Sequence, residues 1–292
     1  MRQEITLRAP AKINWSLSVM GKREDGYHEL RSLMQNVSLY DIVRLRQADA
    51  DACFSAPDVC PAADNLALRA WLLLKEKYRL ADHLHISIEK NIPARAGLAG
   101  GSADGAAVLL GVNELFDLGI PFADLAELAF SLGADMPFCL LGGLAQVSGA
   151  GENTVRCANG VSYELLLVSP GVGLDTGAVF REYDALAVAP AAPCFELLLP
   201  ALLTGDRQGI KEHMANMLAP AAERLCPAVR ELRQLLDDAG AVALMSGSGS
   251  CIWALPPEAP RDSAALKSLL MEKGAACYNA SSIFTGIEIM DR

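Results

Sequence analysis

Residues 93–104, Pro-Ala-Arg-Ala-Gly-Leu-Ala-Gly-Gly-Ser-Ala-Asp, constrain this chain more than any other segment, because a glycine-rich loop stands between a strand pattern and a helix pattern. Upstream, Leu84, Ile86 and Ile88 alternate with polar residues as a half-buried strand does. Downstream, Ala103 to Phe116 is rich in helix formers, with Val108, Val112 and Leu115 on one face. Glycines 97, 100 and 101 reach backbone angles closed to other residues and place no side chain in a ligand's way, so several N–H groups can converge on one anion. The positive end of the following helix reinforces the same place. Pro93, Ala94, Arg95, Ala96, Gly97, Leu98, Ala99, Gly100, Gly101, Ser102 and Ala103 are therefore candidates for binding a phosphate chain. An ordinary sharp strand-to-helix turn is the other reading of the same glycines.

Neither of the two common nucleotide loops is present. A P-loop needs a lysine and a hydroxyl residue after its last glycine, and Ser102 follows Gly101 with no lysine in the segment. The spacing G-x-G-x-x-G of dinucleotide sites is absent as well. Net charge narrows the partners further: at −10 the chain has no general affinity for nucleic acid or an anionic membrane, so any phosphate must be held by local geometry. The longest apolar runs, such as 136–145, fall short of the about 20 residues that span a bilayer, and Met1-Arg2-Gln3-Glu4 is no signal segment, so a cytoplasmic protein is expected. Eight cysteines without a C-x-x-C pair read as reduced packing residues, and four histidines make no metal centre, so no protein-held metal is expected. His83 and His85, at strand spacing, read as one solvent-facing side of a strand.

The pattern along the chain is α+β. Ile5 to Leu7 and the alternation of Ile13, Trp15, Leu17 and Val19 with Asn14, Ser16 and Ser18 predict strands. Residues 48–63 read as a loop or weak hairpin, 66–78 as a helix capped by Asp64 or Asn65, and 122–132 as another helix. Gly142-Gly143 then opens a strand through Val147. A second half begins near Val161, with a buried strand at 163–168, helices near 175–184, 206–217 and 221–238, and a surface loop at 187–193. A strand-loop-strand pattern spans 241–255, followed by a helix near 262–273 and a strand near 282–290. Two domains, 1–160 and 161–292, sharing a cleft are expected.

Three short polar or glycine-rich elements accompany the central loop. In Pro10-Ala11-Lys12-Ile13-Asn14, Lys12 and Asn14 share one strand face opposite Ile13, Trp15 and Leu17, either as a ligand site or as a solvated face. In 133–137, Asp135 precedes a proline by two residues and suits either catalysis or helix capping. Gly247, Ser248 and Gly249, within Ser246 to Ser250, form either a plain hairpin turn or a loop that approaches phosphate closely.

In this order the elements P-A-K-I-N, P-x-x-x-G-L-x-G-G-S and a late glycine/serine loop resemble the GHMP kinase superfamily over nearly the whole chain. Segments 21–30 and 133–137 resemble the branch that phosphorylates the 2-hydroxyl of a cytidine diphosphate derivative of methylerythritol in the non-mevalonate isoprenoid route. The resemblance implies a two-domain fold with the active site in the cleft between domains, ATP with Mg²⁺, this small-molecule substrate, and a monomer or weak homodimer. By the same resemblance Asp135 is the base for the attacking hydroxyl and Lys12 stabilises the emerging alkoxide and orients Asp135. Tyr27 and His28 are the cytosine site or, since Glu24-Asp25-Gly26 is a turn signal, a plain hairpin tip; Asn14 contacts the substrate's polar end, and Thr176 orients the acceptor or caps a helix. Asn65 binds adenine or caps its helix, and Ser102 reaches the phosphates or Mg²⁺. Ala103-Asp104-Gly105 departs from the family's frequent second serine, and Gly105 is expected to weaken the first helical turn by up to about 1 kcal/mol and leave the loop more mobile.

Overall fold

The structure, a computed structural model, describes residues 3–58, 60–186, 195–257 and 260–290. The first half contains β1 (Glu4–Lys22), β2 (His28–Ala48), β3 (Ala52–Ala56), α1 (Leu66–Tyr78), β4 (His83–Glu89), α2 (Gly100–Leu115), α3 (Phe122–Leu132), α4 (Met136–Leu141), β5 (Leu144–Gly149) and β6 (Asn153–Arg156). The second contains β7 (Glu164–Ser169), α5 (Thr176–Leu186), α6 (Phe195–Thr204), α7 (Arg207–His213), α8 (Ala219–Leu225), α9 (Pro227–Asp238), β8 (Val242–Met245), β9 (Ile252–Leu255), α10 (Pro260–Glu272), β10 (Ala276–Ile283) and β11 (Glu288–Ile289).

The described strands join in one sheet with the path β11-β1-β2-β10-β7-β9-β8. β2 is long enough to serve three further neighbours: residues 30–35 pair with β5, 36–37 with β10 and 42–48 with β4. β1 shows why the two halves fold against each other. Its odd-numbered side chains enter three successive cores: Ile5, Leu7 and Ala9 pack under α1 and α2, Ala11, Ile13 and Trp15 pack against β7, α6 and Trp253, and Leu17 and Val19 pack with α8 and α9. Three register shifts against β2, at Pro10/Ala11, Asn14/Ser16 and Val19/Gly21, bend the strand from one core to the next. The buried indoles are satisfied, Trp15 Nε1 donating to Gln35 at 2.7 Å and Trp253 Nε1 to the Asn14 carbonyl at 2.8 Å. Truncating either to alanine would cost about 3–5 kcal/mol.

Several local expectations change in the fold. The two N-terminal strands are one continuous strand, and Lys12, Asn14, Ser16 and Ser18 do not form a solvated face: all four are buried, Lys12 and Asn14 beneath the loop before α2 and the β8–β9 hairpin, which bond to them through the Leu98 carbonyl and the Gly247 N–H. Residues 48–63 hold β3, which pairs parallel with β4. The helix expected at 206–217 stops at His213, and the one at 221–238 breaks at Cys226, where Pro227 starts the next helix. The last strand divides into β10 and β11, and α6 was not foreseen. The loop expected at 187–193 lies outside the described residues. Seven described cysteines are free thiols, and no described helix is long and apolar enough to cross a membrane.

Candidate active site

The glycine segment leaves β4 and enters α2 at Gly100, earlier than the periodicity implied, so Gly100 and Gly101 form the helix's first turn. Ala99 in the N-cap position is left-handed, φ 57°, and gives no side-chain cap, which leaves the first amides of α2 without a side-chain acceptor. The carbonyls before it are tied down: Arg95 accepts from the Leu174 N–H at 3.0 Å, Ala96 from Cys251 N–H at 3.1 Å and Leu98 from Lys12 N–H at 3.1 Å. Gly97, at φ +74°, admits no other residue, since a Cβ there would lie 2.0 Å from the Ser246 carbonyl oxygen. A Cβ on Gly101 would meet nothing within 4 Å, so this side of the turn is open.

The second glycine/serine loop lies directly beneath. Asn14 Oδ1 accepts from Lys12 Nζ and from the Gly247 N–H, both at 2.8 Å, while its Nδ2 donates to Ser32 Oγ at 2.8 Å. Ser246 Oγ donates to the Gly97 carbonyl at 2.9 Å, joining the two loops. Asn216 donates to the carbonyls of Met245 and Gly247, both at 2.8 Å, and holds the hairpin from behind. Ser248 Oγ meets Thr176 Oγ1 at 3.0 Å. Capping of α5 is done by Asp175, whose Oδ1 accepts from Ala178 N–H at 2.7 Å, so Thr176 does not cap that helix.

Asp135 occupies the N-cap position of α4 yet makes no side-chain capping bond, so capping does not explain it. Its Oδ2 stands 3.6 Å from Lys12 Nζ, with the lysine buried and the carboxylate 35% exposed. Lys12, Asn14, Asn65, Asp135, Thr176, Gly247, Ser248, Gly249 and most of the 93–102 segment line one cleft of about 500 Å³. Leu98 and Ala103 are the exceptions: their side chains are buried in the core, so only their backbone can face a ligand. Asn65 caps α1 by accepting from Ala67 N–H at 2.9 Å and still lines the cleft.

Tyr27 and His28 do not line that cleft among its described residues, but Phe180 does, and His28 stacks on it with centroids 4.7 Å apart. Tyr27 is 59% exposed on the β1–β2 turn. His28 Nε2 is 2.7 Å from Asp184 Oδ1.

Sequence reading missed a buried charge cluster at the loop's flanks. Lys90 Nζ donates to Asp41 Oδ2 and, at 2.5 Å, to Asp104 Oδ2. Asp41 Oδ1 also accepts from the N–H groups of Asn91 and Ile92, at 2.6 and 2.8 Å. Burial and the neighbouring Asp41, opposed by Lys90, push the Asp104 carboxyl up to about 7. Burial works against the Lys90 ammonium, but the two carboxylates outweigh it and raise its hold on the proton. The cluster ties both ends of the glycine segment through Asn91 and Ile92 on one side and Asp104 on the other. Gly105 sits inside α2, where a Cβ would approach Met136 Cε at 2.9 Å and Leu66 Cβ at 3.1 Å; it is required for helix packing.

Two family models match the chain, GHMP kinases N terminal domain over residues 65–143 and GHMP kinases C terminal over 198–275. A 4-diphosphocytidyl-2-C-methyl-D-erythritol kinase from Syntrophomonas wolfei is 40% identical over 258 residues, covering 87% of this chain and 90% of the relative. One of the same description from Caldicellulosiruptor bescii is 37% identical, covering 85% and 88%. A solved 4-(cytidine 5'-diphospho)-2C-methyl-D-erythritol kinase superposes with a TM-score of 0.79 at 33% identity, covering 95% of this chain and 99% of that one. A homoserine kinase from Cytophaga hutchinsonii shares the fold at 22% identity and a TM-score of 0.74, covering 99% of this chain and 98% of that one.

Proposed function

The chain belongs to the GHMP kinase family, and from that premise we infer that it transfers the γ-phosphoryl group of ATP to the 2-hydroxyl of 4-diphosphocytidyl-2-C-methyl-D-erythritol, a step of isoprenoid precursor synthesis. Phosphoryl transfer needs positioning and charge stabilisation more than covalent chemistry, and the amides of Gly100 to Ser102, which no N-cap side chain occupies, supply with the small-residue hairpin a cradle for the triphosphate. Asp135 takes the proton of the attacking hydroxyl, and Lys12, 3.6 Å away, steadies the alkoxide as it forms. That pair, facing the cleft, is the observation that carries the reading.

Asn14 fixes Lys12 and orients the acceptor end, with Thr176 and Ser248 on the same side of the cleft. Tyr27 and His28 hold the cytosine, and Asn65 faces adenine with the edge that capping leaves free. Mg²⁺ keeps several waters and binds mainly through a nucleotide's own phosphates, and the Ser102 hydroxyl, which lines the cleft, is the loop's available ligand for it. When bound, Mg²⁺ neutralises charge on the phosphates. The matched family segments, 65–143 and 198–275, fall one in each of the two domains, 1–160 and 161–292, into which this reading divides the chain. A cytoplasmic enzyme, monomeric or weakly dimeric, completes the reading, and the net charge of −10 argues against nucleic acid or an anionic membrane as partner.

Incubation with ATP, Mg²⁺ and the cytidine compound, followed by mass spectrometry, is expected to yield ADP and a singly phosphorylated product that disappears in Asp135→Asn. Product in that variant would remove Asp135 as base. Phosphorylation of homoserine or mevalonate in place of the cytidine compound would overturn the substrate assignment.

A further inference from the structure

The β1–β2 turn carrying Tyr27 is tied to α5 by one side chain. Asp184 Oδ2 binds Lys22 Nζ and Oδ1 binds His28 Nε2, both at 2.7 Å. Lys22 ends β1 and His28 begins β2, so a single carboxylate from the second half of the chain clamps both legs of the turn. The bonds from Lys22 and His28 also hold the Asp184 carboxyl below its ordinary value, so it is an acceptor only. Nε2 of His28 must then be the nitrogen that carries hydrogen. The ring is further fixed by Phe180, stacked at 4.7 Å and 21°, and by Tyr183 edge-on at 6.4 Å and 84°. His28 Nδ1 has no partner among the described residues, and the His28 side chain is 9% exposed.

We propose that Asp184 is a positioning residue for base recognition: by engaging Nε2–H it leaves Nδ1 of His28 to face the base as a lone-pair acceptor, matched to the exocyclic amino group of cytosine and mismatched to the carbonyl of uracil. This rests on the reading of Tyr27 and His28 as the pyrimidine site. Phe180, which both lines the cleft and stacks on His28, links the clamp to the cavity in which the substrate lies.

The test measures kcat/KM of the full-length enzyme for the cytidine substrate and for its uridine counterpart, with ATP saturating and the KM for ATP measured alongside. Asp184→Ala is expected to lose about tenfold of the cytidine-over-uridine preference, with the KM for ATP unchanged. Lys22→Met, which keeps the His28–Asp184 bond, should retain the preference, and Asp184→Asn, which keeps an oxygen for Nε2–H, should recover part of it. An unchanged preference in Asp184→Ala, an equal loss for both bases, or a loss in Lys22→Met as large as in Asp184→Ala would overturn the positioning role. If the unmodified enzyme phosphorylates neither compound, the substrate assignment itself fails; if it phosphorylates the cytidine compound and Asp184→Ala is unaffected, only this inference does.

Discussion

Two lysines are buried beside the glycine segment, and their surroundings are opposite. Lys90 lies between the carboxylates of Asp41 and Asp104, both buried, and bonds to each. Lys12 bonds to one neutral oxygen, that of Asn14, and meets its carboxylate only at 3.6 Å, on a residue that is 35% exposed. An ammonium has three donors, and Lys12 commits one of them to a hydrogen bond where Lys90 commits two to buried carboxylates. The difference separates a lysine that holds the loop in place from one available to a ligand.

The comparison breaks most visibly through activity at the open pair. Lys12→Met is expected to lower kcat by about 10²–10⁴ with little change in thermal unfolding, because the carboxylate left behind still reaches water. A stability loss as large as that at Lys90 would erase the distinction. Lys90→Met should do the reverse, lowering the unfolding free energy by about 3–5 kcal/mol by leaving the buried Asp41 and Asp104 carboxyl groups without their cation, as read by denaturant titration. Full stability in that variant would show that the cluster is not what pins the loop.

The pH dependence sharpens the contrast within the carboxylates. Asp104 is raised to about 7 in the folded protein, so ionising it disfavours the fold; its contribution is fully present below about pH 4 and is lost as pH rises through about 7. Stability measured against pH should therefore move in favour of Asp104→Asn across that window, and a constant difference would refute the assignment. The smallest effect is expected at Asp51. Partial burial would raise its carboxyl, but bonds from Lys75, the Leu84 N–H, Trp71 and His83 outweigh this and hold it at about 2. Its contribution is present above about pH 4 and fades as pH falls through about 2, the opposite sign to Asp104, and Asp51→Asn should lose stability at neutral pH and converge with the parent in acid.

Much of the site was legible because its parts announce themselves locally. The glycines of 97–101 stand where a strand pattern yields to a helix pattern, Asn65 precedes an apolar run as a cap does, and Lys12 and Asn14 share a face by the period of a strand. The alternatives that stayed open have equally local causes. Alternation at Lys12 and Asn14 shows that they share a face but not whether anything covers it, and the cover comes from loops far along the chain. Asp135 suited a cap as well as catalysis because the next residue but one is proline, and only the geometry shows that no capping bond is made. Phe180, Asp184 and Asn216 had no motif to mark them, since a single aromatic, acid or amide on a helix or in a loop reads the same whether it faces solvent or a site.

The sequence alone determined most of the strands and helices of the first half, the phosphate-cradle composition of 93–104 and the family to which these motifs point. Tertiary structure decided which charges meet: Asp41 with Lys90, 49 residues apart, and His28 with Asp184, 156 apart. Periodicity and turn chemistry act over a few residues, so they are written in neighbouring letters. Contacts across the chain depend on the register of β1 on β2 and on three cores packing at once, a collective result that no local pattern specifies.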